Sequence, residues 1–163
     1  MNLKKFEFEN CIPLQNAAYF NSLLTQLKNA KRRIWINFFY INILPDRDIN
    51  YLSRELFEVI ISKFQDGLNV KVALGTKDDL SNLGISNKVV LKFLHQYNIP
   101  CQLYDGSRMF SHSKYILIDD KICIIGSHNW SDRSLTEGID DSLLITSESL
   151  TQYLSNDFFQ NWT

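Results

Sequence analysis

A chain of 163 residues, 45% hydrophobic and 21% charged, has the length and composition of one soluble domain, residues 1–163, able to bury roughly 70% of the surface its unfolded form exposes. The net charge of −1, from 17 Lys+Arg against 18 Asp+Glu, excludes a broad basic coat that binds nucleic acid by blanket phosphate neutralisation, so any such contact must be local. Cys11, Cys101 and Cys123 stand far apart with no Cys-x-x-Cys pair; they are expected as reduced, buried thiols rather than a zinc site or disulfide framework.

In chain order, the first ten residues alternate Phe with Glu instead of running apolar, which does not suit a secretion signal. Leu14, Ala17, Ala18, Leu24, Leu27 and Ala30 fall mostly at helical spacing just after Pro13, and Lys28, Lys31, Arg32 and Arg33 gather where that helix would end. Residues 34–41 read as a strand buried on both faces. The apolar window 34–44 is interrupted by Asn37 and Asn42 and is far shorter than the ~20 residues a membrane helix needs. A cytoplasmic location without membrane contact is expected.

After a loop at Pro45–Asp46, residues 51–65 predict a helix with Leu52, Leu56, Val59, Ile60 and Phe64 inward, stopped at Gly67. Residues 70–74 follow as a second buried strand, then a loop over 75–84 carrying Lys77, Asp78 and Asp79. Ser86 or Asn87 is expected to cap a third helix through Gln96, with His95 a structural residue late on it. Pro100 introduces a strand over 101–104, and Asp105–Gly106 has turn chemistry. Residues 115–118 and 122–125 are β-rich runs split by Asp119–Asp120–Lys121, a hairpin signature. A strand over 143–145 and a helix over 148–159 close the chain. Helix–strand alternation followed by a hairpin implies an α/β fold: one mixed, largely parallel sheet with helices on both faces.

The chemistry concentrates between Ser111 and Trp130. On a strand, side chains alternate, so His112 and Lys114 project from one face. An imidazole beside an ammonium suits an anionic substrate, one attacking while the other holds charge. The hairpin would return the chain so that Gly126, Ser127, His128 and Asn129 lie beside His112. There glycine allows close backbone approach, while a hydroxyl and an amide can hydrogen-bond phosphate oxygens.

The run His112-x-Lys114-x4-Asp119-x6-Gly126-Ser127-x-Asn129 resembles the signature of the phospholipase D superfamily at every fixed position. A chance match in a chain this long should be rarer than about one in ten thousand. The resemblance implies a metal-independent, cofactor-free phosphodiesterase acting through a phosphohistidine on His112. Lys114 and Asn129 would clamp the phosphate, Ser127 would help bind it, and Asp119 and Gly126 would support the site. It also implies a carboxylate behind the imidazole, for which Asp141, directly before the last apolar strand, is the matching candidate, with Asp140 and Glu137 as alternatives. Single-motif relatives pair two subunits about a twofold axis, so a homodimer sharing one active site is implied, a C₂ dimer being the commonest oligomer in any case.

The small single-motif architecture is similar to the nuclease branch, which implies an endonuclease of DNA or RNA backbone. Phospholipid phosphodiesterase or phosphatidyl transferase chemistry, or a nucleic-acid-binding subunit with vestigial catalysis, are the alternatives. His128, in the motif's variable position, is expected to line the pocket without catalysing. Trp130 and Tyr115 are expected in the core rather than stacked on a base, while Arg108 and Arg133 flank the motif and either receive a polyanion or simply face solvent.

Overall fold

The structure is a computed structural model that describes residues 4–43, 51–76, 82–104 and 111–162. Its elements are β1 (Asn10–Gln15), α1 (Ala17–Asn29), β2 (Arg33–Phe38), α2 (Tyr51–Gln65), β3 (Asn69–Thr76), α3 (Asn82–Gln96), β4 (Cys101–Tyr104), β5 (Lys114–Ile118), β6 (Ile122–Gly126), α4 (Asp132–Thr136), β7 (Asp141–Thr146) and α5 (Glu148–Gln160). Seven strands form one sheet in the order β1-β7-β6-β5-β2-β3-β4.

Strand alternation decides which residues face which layer. From the central strand β2, Ile34, Ile36 and Phe38 join a large core with Leu23 and Leu27 of α1, Leu56 and Ile60 of α2, Val90 and Leu94 of α3, and Leu135 of α4. The intervening Trp35 turns to the opposite face, where Tyr115, Leu117 and Cys123 pack with Phe158 of α5. Burying the β2 side chains on both faces contributes roughly 1.5–3 kcal/mol per large apolar side chain relative to exposure. That two-sided burial is why its sequence is a continuous apolar run.

The mixed sheet with helices on both faces agrees with the sequence reading, but its parallel part is smaller than expected. Among the strand pairs of the described residues, β2–β3 and β3–β4 are parallel, whereas β2–β5, β5–β6, β6–β7 and β7–β1 are antiparallel. One cause is β1, which occupies residues expected to lead into the first helix. Pro13 is tolerated there because β1 is an edge strand and needs no N–H at that position; the helix starts only at Ala17, after Asn16 turns the chain at φ 48°. Cys11 is consequently exposed on that edge, Cys101 is half-buried, and only Cys123 is fully buried.

The third helix also starts earlier than expected, at Asn82, so neither Ser86 nor Asn87 caps it. Both are buried inside it. Asn87 instead bonds the chain leaving β2, accepting the Ile41 N–H at 3.1 Å and donating to the Phe39 carbonyl at 2.8 Å. The short α4 was not anticipated, although Ser131 followed by Asp132 is a start signal: the Ser131 hydroxyl accepts the Ser134 N–H. The expected features at Pro45–Asp46, Lys77–Asp79, Asp105–Gly106 and Arg108 lie outside the described residues.

The β5–β6 hairpin is tied down at its tip. Asp119, in the left-handed region at φ 52°, accepts the backbone N–H groups of Lys31, Arg32 and Arg33 at 3.1, 2.7 and 3.2 Å. The Arg33 guanidinium donates back to the Asp119 carbonyl at 2.6 Å. Asp119 thus joins the entry of β2 to the far end of β5, five residues from Lys114, or roughly 17 Å at strand rise. Asp119→Ala should destabilise the fold by about 2–3 kcal/mol, the scale of lost charge-assisted hydrogen bonds, with Asp119→Asn intermediate; urea unfolding measures both.

Candidate active site

Lys114 is the first residue of β5 and pairs with Phe38, the last of β2. Gly126 is the last residue of β6 and pairs with Ser142 near the start of β7. These registers bring four strand ends together at one end of the sheet, opposite the Asp119 hairpin tip. Gly126 is required by the close approach of β7: a Cβ there would collide with the Asp141 carbonyl and with Ser142. The sheet therefore delivers His112–Lys114 and Ser127–Asn129 to the same place.

Lys114 is 7% exposed. Its ammonium donates to the His112 carbonyl at 3.0 Å, stands 3.3 Å from His112 Nδ1, and lies 5.2 Å from the centre of the Phe39 ring. Phe39 also packs on the imidazole, ring centres 4.4 Å apart, so the Asn87 clamp on the Phe39 carbonyl holds a wall of the site. Sequence reasoning missed that wall because Phe39 and Asn87 lie far from the motif in the chain. Where an ammonium donates to Nδ1, a neutral imidazole keeps its proton on Nε2. Burial pushes the Lys114 ammonium down in pKa, and Asp140 opposes that shift.

Strand alternation also separates the two adjacent acids. Ser142 and Leu144 face the α1–α4 layer, so Asp141, one residue away, faces elsewhere: its carboxylate accepts from Gln15 Nε2 of β1 at 2.6 Å. Asp140, just before the strand, is the acid turned to the site. It accepts the Ser127 hydroxyl at 2.7 Å through one oxygen and the Ser134 hydroxyl at 2.6 Å through the other. Burial opposes its ionisation, yet the two hydroxyls together with His128 and Lys114 hold the carboxyl below its usual value. The geometry thus gives Asp141 to the β1 edge and Asp140 to the motif. Glu137 is exposed at the end of α4.

Ser134, not singled out from the sequence, links these parts: its oxygen accepts the Asn129 N–H at 3.1 Å while its proton goes to Asp140. Asn129 Oδ1 is buried without a hydrogen-bond partner among the described residues. The Ser127 hydroxyl accepts the Asp141 N–H at 3.0 Å. His128 is buried, stacked on Tyr19 with ring centres 4.1 Å apart, and bonded through Nδ1 to Ser142 Oγ at 2.8 Å. Burial pushes its pKa down against Asp140 and Asp141, so it is a neutral packing group at pH 7. Trp130 and Tyr115 are core residues, Trp130 donating to the Tyr19 hydroxyl at 3.2 Å. Arg133 is exposed beside the site.

A buried ammonium, an imidazole, an amide and a hydroxyl, braced by one carboxylate, can bind a tetrahedral oxyanion and offer it a nucleophile. Among the described residues no group of three His, Cys, Asp or Glu side chains could hold a metal ion, and no helix is long and apolar enough to cross a membrane.

Comparison with known proteins places this geometry. A family model described as the PLD-like domain of cardiolipin synthase matches residues 23–162. A cardiolipin synthase of Clostridium perfringens strain 13 is 24% identical over 142 residues, 86% of this chain and 27% of that protein; one from Halalkalibacterium halodurans is 27% identical over 86% of this chain and 25% of its own length. The chain thus spans about a quarter of the curated relatives it matches. In fold it is similar to Nuc of Salmonella typhimurium, a phospholipase D family member (TM-score 0.75, 14% identity, 94% of this chain and 93% of that one), and to NucT of Helicobacter pylori (0.69, 16%, 95% and 96%). It also matches phosphatidylserine synthase of Haemophilus influenzae (0.70, 15%), over 93% of this chain but 38% of that one.

Because Asp140 raises the Lys114 pKa, Asp140→Asn should move the alkaline limb of any activity profile to lower pH. Ser134→Ala should do so less, with Ser134→Thr near wild type; pH–rate profiles of the three variants measure the shifts.

Proposed function

The chain belongs to the phospholipase D superfamily, and from that premise we propose that it is a metal-independent endonuclease that hydrolyses DNA or RNA backbone. The observation that carries this reading is the meeting of His112 and Lys114 with Ser127 and Asn129 at one end of the sheet. Such a site supplies nucleophile and charge from protein groups alone.

In this reading two copies of the chain form one site. His112 of one copy attacks phosphorus through Nε2, forming a P–N bond as the P–O bond to the leaving group breaks. His112 of the second copy gives the leaving oxygen its proton, then takes one from water. The water oxygen attacks phosphorus and the P–N bond breaks, which restores both imidazoles. The donor histidine starts as an imidazolium, so that giving up its Nε2 proton leaves a neutral imidazole; in the arrangement at hand Lys114 instead contacts Nδ1 at 3.3 Å. The attacking histidine must release that contact and give Nδ1–H to a carboxylate, as in serine-hydrolase triads. We assign that role to Asp140, which already faces the motif, in place of Asp141, whose carboxylate is bonded to Gln15. Lys114 and Asn129 of both copies clamp the non-bridging oxygens, and Asp119 keeps the hairpin in register from the far end.

Support for nucleic acid over lipid comes from the site's polar surroundings and from the near end-to-end fold match with Nuc and NucT. The cardiolipin synthases among the relatives favour a second reading, phospholipid phosphodiester transfer, and a vestigial binding subunit is a third. We place the nuclease in the cytoplasm.

Purified protein incubated in EDTA with single-stranded DNA, double-stranded DNA and RNA should cleave at least one of them. His112→Ala should lower cleavage by at least about a thousandfold, the scale of losing a covalent nucleophile. Inhibition by EDTA, or activity surviving the substitution, contradicts the mechanism. Headgroup release from phospholipid vesicles without nucleic-acid cleavage selects the lipid reading. Light scattering should give twice the chain mass; a monomer at working concentration contradicts the shared site.

A further inference from the structure

Beside Asn129 the surface opens into a cavity of about 240 Å³, bounded by Tyr40, Asn129, Ser131, Arg133, Ser134 and Asp140, with Gly138 adding no side chain. Every side chain around it is polar, a poor lining for an acyl chain. Of its acceptors, both Asp140 oxygens take serine protons and Ser134 Oγ takes the Asn129 N–H, which leaves Asn129 Oδ1 as the acceptor without a partner among the described residues. Ser131 Oγ accepts the Ser134 N–H at 3.4 Å, which leaves its own proton for a ligand. The groups still able to donate are the Arg133 guanidinium, the Tyr40 phenol, the Ser131 hydroxyl and the Asn129 amide. A donor-rich cavity whose one carboxylate is already satisfied is complementary to an oxygen-rich anion.

The walls are fixed. Asp132 accepts the N–H groups of Leu52 and Ser53 at 3.2 and 3.4 Å, seating α4 on the start of α2. The opposite wall is laced to Trp130, whose N–H donates to the Tyr40 carbonyl at 3.3 Å and whose carbonyl accepts the Asn42 N–H at 2.7 Å. Arg133 is therefore an exposed cation on a held scaffold, next to the amide assigned to the scissile phosphate.

Resting on the nuclease reading, we propose that this cavity is a subsite for the sugar–phosphate unit next to the scissile bond, with Arg133 binding the neighbouring phosphate. The consequence is a preference for substrates that carry a second phosphate on one side of the bond cleaved. Arginine suits the task because its planar fork can take two phosphate oxygens at once.

The test compares a dinucleotide with the same dinucleotide bearing an added 5′ or 3′ terminal phosphate. For the wild-type protein the added phosphate at one end should raise kcat/KM roughly tenfold, the scale of a charge-assisted hydrogen bond. In Arg133→Gln that gain should fall to near one, and Arg133→Lys should keep part of it. No gain in the wild type at either end, or the same gain in Arg133→Gln, overturns the subsite while leaving the nuclease reading in place. Hydrolysis of bis(p-nitrophenyl) phosphate with no cleavage of any dinucleotide or longer oligonucleotide overturns both.

Discussion

The register of the β5–β6 hairpin is the constraint on which the site depends. Lys114 opposite Phe38 and Gly126 opposite Ser142 bring two segments of the motif to one end of the sheet, and a slip of one residue would turn every side chain to the other face. The structure secures that register at both ends. Asp119 binds three successive N–H groups where the chain enters β2, and Gly126 admits the β7 backbone to a distance no other residue would allow. The motif's spacing is therefore a length of strand, a turn and a second length of strand, with chemistry at one extreme and anchorage at the other.

Around the assembled strand ends, polar groups brace one another. Asp140 holds Ser127 and Ser134, Ser134 holds the Asn129 backbone, and Ser127 holds the backbone of Asp141. Each bond contributes on the order of 1 kcal/mol, more where the carboxylate is the acceptor. In the proposed reaction their larger effect would be to fix the amide and hydroxyl before a substrate arrives, so that little reorganisation is needed on binding. The same carboxylate sustains the charge of the buried Lys114 ammonium, so positioning and electrostatics share one residue.

Much of this was legible in the sequence. The motif spacing singled out His112, Lys114, Ser127 and Asn129, whose segments the strand registers bring to one end of the sheet; apolar runs located β2, β3 and the hairpin, and Gly67 marked the end of α2, where its φ of 91° suits only glycine. The orientation of neighbouring acids was harder to read: Leu143 and Leu144 are both apolar, so nothing local tells which faces the core, and the choice between Asp140 and Asp141 turns on that. Asn87 and Phe39 were invisible because their role comes from tertiary contact across 48 residues. Pro13 suggested a helix start, and only the position of β1 at the sheet edge explains why a strand accommodates it.

The proposed reaction requires His112 to become covalently bonded to phosphorus during turnover. A labelled oligonucleotide mixed with the protein in EDTA, quenched rapidly in alkaline denaturant, digested and mapped by mass spectrometry tests it directly. The expected result is a phosphoramidate adduct on the peptide containing His112, formed and lost at rates compatible with turnover. An adduct on another residue, or full turnover with no adduct at any quench time, would contradict it.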